Sequence, residues 1–233
     1  MKNQVLKIGI PSKGRLKDKS LSLFKKNKIN IKSTKRSYIS KIKNFKKNKV
    51  IFLHAREIIE RLSDGSLDIG ISGLDLLNES LSGIKKNIKI YKYLNFGFAK
   101  LVVAIPKDWI DVQTIADLEE ISFNFKDKKS GKLRIASKYP NLSNNFLTSK
   151  GVTQYKIINS LGATEIYPLT NQSEIIIDIT STGATLKANK LRVLKDGLIL
   201  KSSACIMVSK KSLRDKEKNN NLSTFLKKLK KKD

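Results

Sequence analysis

Three consecutive isoleucines, Ile175-Ile176-Ile177, lead into Asp178 and then into Ile179-Thr180-Ser181-Thr182-Gly183-Ala184-Thr185-Leu186. An apolar run without polar alternation predicts a strand buried on both faces, as in a parallel sheet covered by helices. The hydroxyl-rich turn after it opens a helix-like segment from Thr185 to Asn189. A strand that runs into a small turn and a helix start aims backbone N–H groups and the helix dipole at one point. That geometry suits a phosphate monoester dianion. Thr180, Ser181, Thr182 and Thr185 add O–H donors, and Gly183 permits close approach and an unusual backbone dihedral. Asp178, at the carboxyl edge of the strand, is placed to accept hydrogen bonds from sugar hydroxyls, so one loop suits both ends of a ribose 5-phosphate. On composition alone a hydroxyl cluster after a strand is an ordinary turn with N-caps. The acid ahead of the cluster, Gly183 and the Thr185-Leu186 helix start favour the anion site.

The whole chain has room for such a unit and more. Its 233 residues, 39% of them hydrophobic, can build one large or two small domains. No segment has the uninterrupted apolar length that spans a bilayer. The opening, Met1 to Pro11, reads as a short strand with charges inside it, not a signal peptide. A single cysteine, Cys205, excludes an intramolecular disulfide and fits a reducing cytoplasm. With that cysteine and a single histidine, His54, the composition argues against an all-protein zinc site and against a Ser-His-Asp triad. The expected metal is Mg²⁺ arriving with a phosphorylated substrate. The formal charge of +28 raises a nucleic-acid reading. The lysines are nevertheless spread over most of the chain, with no helix-turn-helix, zinc-finger or RNA-binding aromatic signature. They read as solvated positions, and no nucleic-acid partner is expected.

Strands and helices alternate along the chain. Val5–Ile10 reads as a strand, and Leu16, Ser20, Leu23 and Phe24 share one helical face after it. Ser37–Lys49 reads as a hairpin or a mobile loop. Val50–Leu53 is strand-like, and Ile58, Ile59 and Leu62 mark a helix ended by Asp64-Gly65. Leu67–Asp75 is a strand, a glycine turn and a helix start. The apolar stretch from Tyr93 to Ile105 reads as extended chain bridging two lobes. Thr114–Leu118 starts a short helix, Leu133–Ala136 is a strand, and Leu142, Phe146 and Leu147 mark a helix closed by Gly151. Tyr155–Ile158, Ile175–Ile179, Leu191–Ile199 and Ser203–Val208 read as further strands. The pattern predicts an α/β protein with parallel sheets, whose ligands sit beyond the carboxyl ends of strands. From Lys210 onward the chain is basic and of low complexity, with Leu222, Phe225, Leu226 and Leu229 at helical spacing, which reads as a surface helix with a frayed end.

Other groups carry weaker signals. Lys13 and Arg15 flank Gly14 in a strand-to-helix loop, where cations suit a pyrophosphate; a solvated turn gives the same pattern. Asp75 is also a common first-turn residue. Lys138 and Tyr139 precede Pro140, and Glu165 lies in a stretch that reads as an exposed turn. His54 reads as a hydrogen-bonded structural histidine, and Cys205 as inert core.

The order of these pieces is more specific than any one of them. Ser12-Lys13-Gly14-Arg15-Leu16, then Asp68-Ile69-Gly70-Ile71-Ser72-Gly73-Leu74-Asp75, then Ala136-Ser137-Lys138-Tyr139-Pro140-Asn141, then Asp178 to Leu186 occur at spacings that resemble ATP phosphoribosyltransferase, the enzyme that opens histidine biosynthesis. The resemblance runs from about Leu6 to Val208, and the length resembles the short form of that family. The last motif also resembles the 5-phosphoribosyl 1-pyrophosphate (PRPP) loop of phosphoribosyltransferases at large. It departs from the common version in having Ile177, not a second acid, before Asp178; the nearest other acid is Glu174.

The resemblance implies two α/β lobes of the periplasmic-binding-protein type II kind, with the active site in the cleft. Lobe I is expected over residues 1–103 and 188–209 and lobe II over 104–187, leaving 210–233 as a basic tail or helix. It implies that Thr180, Ser181, Thr182, Gly183, Ala184 and Thr185 hold the PRPP phosphate and that Asp178 meets the ribose hydroxyls. Lys13, Arg15 and Arg36 take the pyrophosphate side, and Asp75, Lys138, Tyr139 and Glu165 the ATP side. Many members carry Arg-Ala where this chain has His54-Ala55; Arg56 leaves the backbone at a different angle, and that role is not carried over. The implied reaction transfers phosphoribosyl from PRPP to N1 of ATP, with Mg²⁺, in a cytoplasmic homodimer joined to a histidyl-tRNA-synthetase-like regulatory subunit. A two-lobed solute-binding protein without catalysis shares the architecture and is the alternative.

Overall fold

The structure, a computed structural model, describes residues 5–31, 38–43, 45–129 and 131–229. The chain opens with β1 (Lys7–Pro11), α1 (Gly14–Lys26), β2 (Ile39–Ile42), β3 (Phe45–Leu53) and α2 (Ala55–Asp64). It continues through β4 (Ile69–Gly73), α3 (Leu74–Glu79), α4 (Ser82–Lys85) and β5 (Ile88–Tyr93). Next come β6 (Ala99–Pro106), α5 (Ile115–Lys129), β7 (Leu133–Ser137), α6 (Pro140–Ser149) and β8 (Tyr155–Asn159). A 3₁₀ turn at Thr164–Ile166 leads to β9 (Ile175–Thr180), α7 (Ala184–Ala188) and β10 (Leu191–Ser202), and β11 (Ala204–Ser209), α8 (Lys210–Arg214) and α9 (Lys216–Leu229) close the chain.

These elements form two compact units, 1–97 with 203–233 and 98–202. The division differs from the expected boundaries after residues 103 and 187. The reason is β10, which pairs antiparallel with β6 along most of its length, so both long strands belong to the second unit. Both sheets are mixed, a correction to the parallel sheets expected. In each, chain entering from or leaving for the other unit runs back against the parallel core, as β11 does against β4 and β6 against β9.

Unit 1 is a six-stranded sheet in the order β2-β3-β1-β4-β11-β5. The hairpin reading of Ser37–Lys49 corresponds to β2 and the start of β3, which pair antiparallel. Side-chain alternation splits the sheet cleanly. Ile8, Ile10, Ile69, Ile71, Ile206 and Val208 face α1 and α9, whereas Cys205 and Met207 face α2. A Cβ at Gly9 or Gly70 would collide with Leu67, Ile58 or Leu62, so α2 lies directly on the strands there. The C-terminal segment is not a frayed surface helix: Leu222, Phe225, Leu226 and Leu229 of α9 are buried against the sheet. Asp68, itself buried, accepts the Lys7 N–H at 2.7 Å, the Ser212 hydroxyl at 2.7 Å and Lys218 Nζ at 3.1 Å, tying α8 and α9 to the start of β1.

Unit 2 is a five-stranded sheet in the order β10-β6-β9-β7-β8, with β9, β7 and β8 parallel. Ile175, Ile176 and Ile177 are wholly buried, as their unbroken apolar run predicts. α5 runs far past the expected Leu118. It starts on a capping box in which Asp117 Oδ2 accepts the N–H groups of Gln113 and Thr114, both at 2.8 Å, and Thr114 Oγ1 accepts the Asp117 N–H.

Candidate active site

The carboxyl end of the parallel strands in unit 2 gathers three of the residues picked from sequence. At the end of β9, Asp178 Oδ1 accepts the N–H of Ile179 at 2.8 Å. β7 and β9 pair in register through Ser137 and Ile177, so Lys138 lies one step beyond, across from Asp178. Glu165 comes to the same place on the 3₁₀ turn Thr164–Ile166. Burial raises the pKa of the Asp178 carboxyl from its ordinary value. The Ile179 N–H and the Lys138 ammonium pull it back, Glu165 raises it further, and the Thr164 hydroxyl lowers it. Desolvation wins here, so ionising this carboxyl costs more than ionising one in open water.

Beside that group lies a buried network of serine and threonine hydroxyls, joined through the main chain, that the sequence reading missed. Thr164, with no exposed surface, has its Oγ1 2.9 Å from Ser160 Oγ. The Ser160 N–H donates to Ser137 O at 3.1 Å, and Ser137 Oγ accepts the Tyr139 N–H at 2.9 Å and Ser143 Oγ at 3.1 Å. These links fix the ends of β7 and β8 and the 3₁₀ turn, the three points that carry Lys138, Asn159 and Glu165. The available signal was Ser or Thr at the ends of strands, a pattern shared with every ordinary turn. Tyr139 is 6% exposed and forms the N-terminal boundary of α6, so its ring packs inward and offers no open aromatic face.

The loop after Asp178 folds as a strand-to-helix turn. Gly183 has φ +77°, the left-handed conformation that glycine reaches without a steric penalty. Its N–H donates to Thr180 Oγ1 at 2.9 Å, and the Ala184 N–H donates to Thr182 Oγ1 at 3.3 Å. Two of the amides expected to point at an anion are therefore satisfied by the loop's own hydroxyls. Those hydroxyls accept, and each keeps an O–H to donate outward. Ser181, Thr182, Ala184 and Thr185 are exposed, while Leu186 is buried and anchors α7. α7 has only five residues, so its dipole adds less than the hydroxyl donors do.

The remaining candidates belong to unit 1. Lys13 and Arg15 are exposed at the start of α1, where the Ser12 N–H donates to Leu53 O at 2.8 Å and ties the loop to the end of β3. Asp75 is buried in the first turn of α3, its carboxylate against Gly73. It contributes, after burial, to raising the Cys205 thiol to about 11, and contact with Ser203 acts the other way. His54 caps α2, its Nδ1 accepting the Arg56 N–H at 3.4 Å, the structural role its position suggested. Arg36 lies outside the described residues. Among the described residues no group of three or more His, Cys, Asp or Glu side chains is assembled as a metal site.

Residues 54–231 match the protein family described as ATP phosphoribosyltransferase. The ATP phosphoribosyltransferase of Chelativorans sp. strain BNC1 is 44% identical over 207 residues, covering 88% of this chain and 90% of that protein. Its counterpart in Brucella melitensis is 41% identical over 208 residues, with the same coverage. Among solved structures, the ATP phosphoribosyl transferase (HisG:HisZ) complex from Thermotoga maritima superposes with a TM-score of 0.75 at 28% identity, covering 96% of each chain. The substrate-binding protein of an amino acid ABC transporter reaches a TM-score of 0.54 at 14% identity, covering 97% of this chain and 93% of that one, which shows a shared fold and no more.

Proposed function

The chain belongs to the ATP phosphoribosyltransferase family, and on that premise we propose that it transfers the 5-phosphoribosyl group of PRPP to N1 of ATP, releasing pyrophosphate, as the first step of histidine biosynthesis. The observation that carries the site assignment is the carboxylate of Asp178, flanked by Lys138 and Glu165 and followed directly by a loop of outward hydroxyls. The N1 lone pair forms the new bond to C1′ as the C1′–O bond to pyrophosphate breaks and its electron pair departs with the leaving group. Adenine N1 is a weak nucleophile, so catalysis rests on positioning and charge stabilisation.

In this reading Thr180, Ser181, Thr182 and Thr185 donate O–H groups to the 5-phosphate. The amides of Gly183 and Ala184 join them when the loop hydroxyls turn to the anion. Asp178 accepts from the ribose hydroxyls and stabilises positive charge as it develops on the ring. Lys13 and Arg15, with Arg36, neutralise the pyrophosphate. Lys138 and Glu165 act on the ATP side together with Asp75; Tyr139 acts there through the backbone turn it forms. Mg²⁺ brought in with the PRPP substrate would offset charge on the leaving group, a role that needs no dedicated protein cage.

The Thermotoga maritima complex pairs an ATP phosphoribosyl transferase chain with a HisZ chain, and we extend that assembly to this protein as a homodimer joined to a regulatory subunit of the HisZ kind. Among the described residues no helix is long and apolar enough to cross a membrane, and consumption of ATP and PRPP fits a cytoplasmic setting. The likeness to amino-acid-binding proteins is one of fold, and it gives no support to binding without chemistry. The test is an absorbance assay for phosphoribosyl-ATP with Mg²⁺, ATP and PRPP, with and without a HisZ-type subunit. Product that depends on PRPP is expected; no product under either condition overturns the proposal.

A further inference from the structure

Unit 2 carries a concavity of about 630 Å³ at the end of its sheet opposite Asp178. One wall is aromatic: the Trp109 and Phe125 rings lie 6.2 Å apart between centroids at 30°. The segment bearing Trp109 is fixed from behind by Arg192, whose Nη2 donates to the carbonyl oxygens of Trp109 and Val112, both at 2.6 Å. At the floor Arg134 forks onto Glu174. Its Nη2 and Nε donate to Oε1 at 2.6 and 3.0 Å, and its backbone N–H donates to Oε2 at 2.6 Å. The Arg134 side chain is 40% exposed and that of Glu174 15%, so the guanidinium keeps an open edge while the carboxylate is largely covered. Lys107 and Lys190 stand exposed at the rim, their backbones joined by the Lys107 N–H donating to Lys190 O at 2.9 Å.

We propose that this pocket is a binding site for a planar aromatic anion, its ring against Trp109 and Phe125 and its anionic group toward Arg134, Lys107 and Lys190. The volume lies within the range of small-ligand sites, which combine apolar walls with a few convergent polar groups. A stacked pair of rings presents a π face and ring edges, against which another planar ring packs by offset or edge-to-face contact. Arginine presents planar donors suited to a carboxylate or phosphate. With Glu174 taken up by Arg134, the two lysines outweigh the rim acid Asp108, and the basic surface of the chain concentrates anions around it. None of these residues belongs to the cluster around Asp178, so the site is independent of the reaction proposed above.

Trp109 is the single tryptophan of the chain, so its emission reports on this pocket. The test is fluorescence titration of the full chain with nicotinate and benzoate, with cyclohexanecarboxylate as a non-planar anion and acetate as a bare one. Saturable change is expected with the two aromatic acids, unaffected by saturating PRPP, and about tenfold weaker with cyclohexanecarboxylate. Arg134→Met is expected to abolish it. The double change Lys107→Ala with Lys190→Ala, confined to the exposed rim, is expected to weaken it several-fold in a chain that still folds. A linear, unsaturable response, an equal response to cyclohexanecarboxylate, loss on adding PRPP, or indifference to the rim variant each overturns the proposal.

Discussion

Lys138 stands across the β7–β9 ladder from Asp178, and four residues back along the same two strands Arg134 faces Glu174. Between the two charged pairs lie the buried couples Ile135–Ile175, Ala136–Ile176 and Ser137–Ile177. The Glu174 N–H donates to Arg134 O at 3.0 Å, closing the ladder at its far end. The position of the proposed ribose-binding carboxylate is thus set by a buried, registered strand pair and not by a loop.

Glu174→Ala removes the acceptor for three Arg134 donors, two side-chain and one main-chain. Hydrogen bonds to a charged group contribute about 1.5–3 kcal/mol where buried, and the exposed edge of Arg134 puts this variant at the lower end. Urea unfolding followed by circular dichroism is expected to show that loss, with Glu174→Gln retaining part of it. An unchanged midpoint would contradict the account.

Burial raises the pKa of Asp178 from its ordinary value, so as pH falls its charge is lost earlier than that of an exposed aspartate. The acid limb of kcat/KM for PRPP is expected to respond with opposite signs to its neighbours. Lys138→Met removes a lowering influence and moves the limb to higher pH; Glu165→Gln removes a raising one and moves it lower. Thr164→Val is expected to move it higher, with Thr164→Ser restoring it. Shifts of the same sign for Lys138→Met and Glu165→Gln would show that another group governs the limb.

Phe225 is fully buried and packs on Phe24 and Phe45, with ring centroids 6.3 and 5.2 Å away. Phe225→Ala is expected to cost about 3–5 kcal/mol, the usual result of emptying an aromatic core position. Removing residues 216–233 should leave unit 1 unable to fold cooperatively. A truncated chain that melts like the full one would make α9 dispensable.

At Gly183 an added Cβ meets nothing within 4 Å, so substitution is opposed by backbone conformation alone. Gly183→Ala must hold φ near +77° at a cost of roughly 1–2 kcal/mol. The expected outcome is a modestly lower melting temperature and a raised KM for PRPP, with KM for ATP little changed. Equal effects on both substrates would remove the loop from the phosphate end.

The Cys205 thiol is fully buried and titrates at about 11, against an ordinary value of 9.0. At pH 8 it is expected to resist a thiol-disulfide reagent in the native chain and to react stoichiometrically in guanidinium. Rapid native labelling would mean that β11 opens readily.

What the sequence revealed follows from how local each signal is. The three isoleucines, the helix ending at Gly65 and the turn at Gly183 are short patterns with one physical solution each, and the structure keeps them. The strand directions of β6 and β11 are set by pairing across the sheet, which periodicity does not encode, and the sheets proved mixed. The apolar face of α9 was visible, but its lysine content suggested solvent until Asp68 and the Phe24 side of the sheet gave it a partner. Lys138 and Glu165, each weak alone, meet the more legible Asp178 because the end of β7 and the 3₁₀ turn after β8 converge on β9. The hydroxyl network through Thr164, Ser160 and Ser137 was illegible because each link is a single small residue whose partner lies on another element.

The most direct test of the central claim is turnover of Asp178→Asn with Mg²⁺, ATP and PRPP, in the presence of the regulatory subunit if the wild-type chain requires it. Because burial makes ionisation of Asp178 unfavourable, the part of folding stability linked to it is full below its unfolded pKa and is lost as pH rises through the raised folded value. The neutral amide should therefore leave stability at pH 7 unchanged or slightly higher. The account predicts a folded protein whose phosphoribosyl-ATP formation falls by about a hundredfold or more, as expected for loss of a charge placed against a developing cation. A folded variant turning over at the wild-type rate would contradict it.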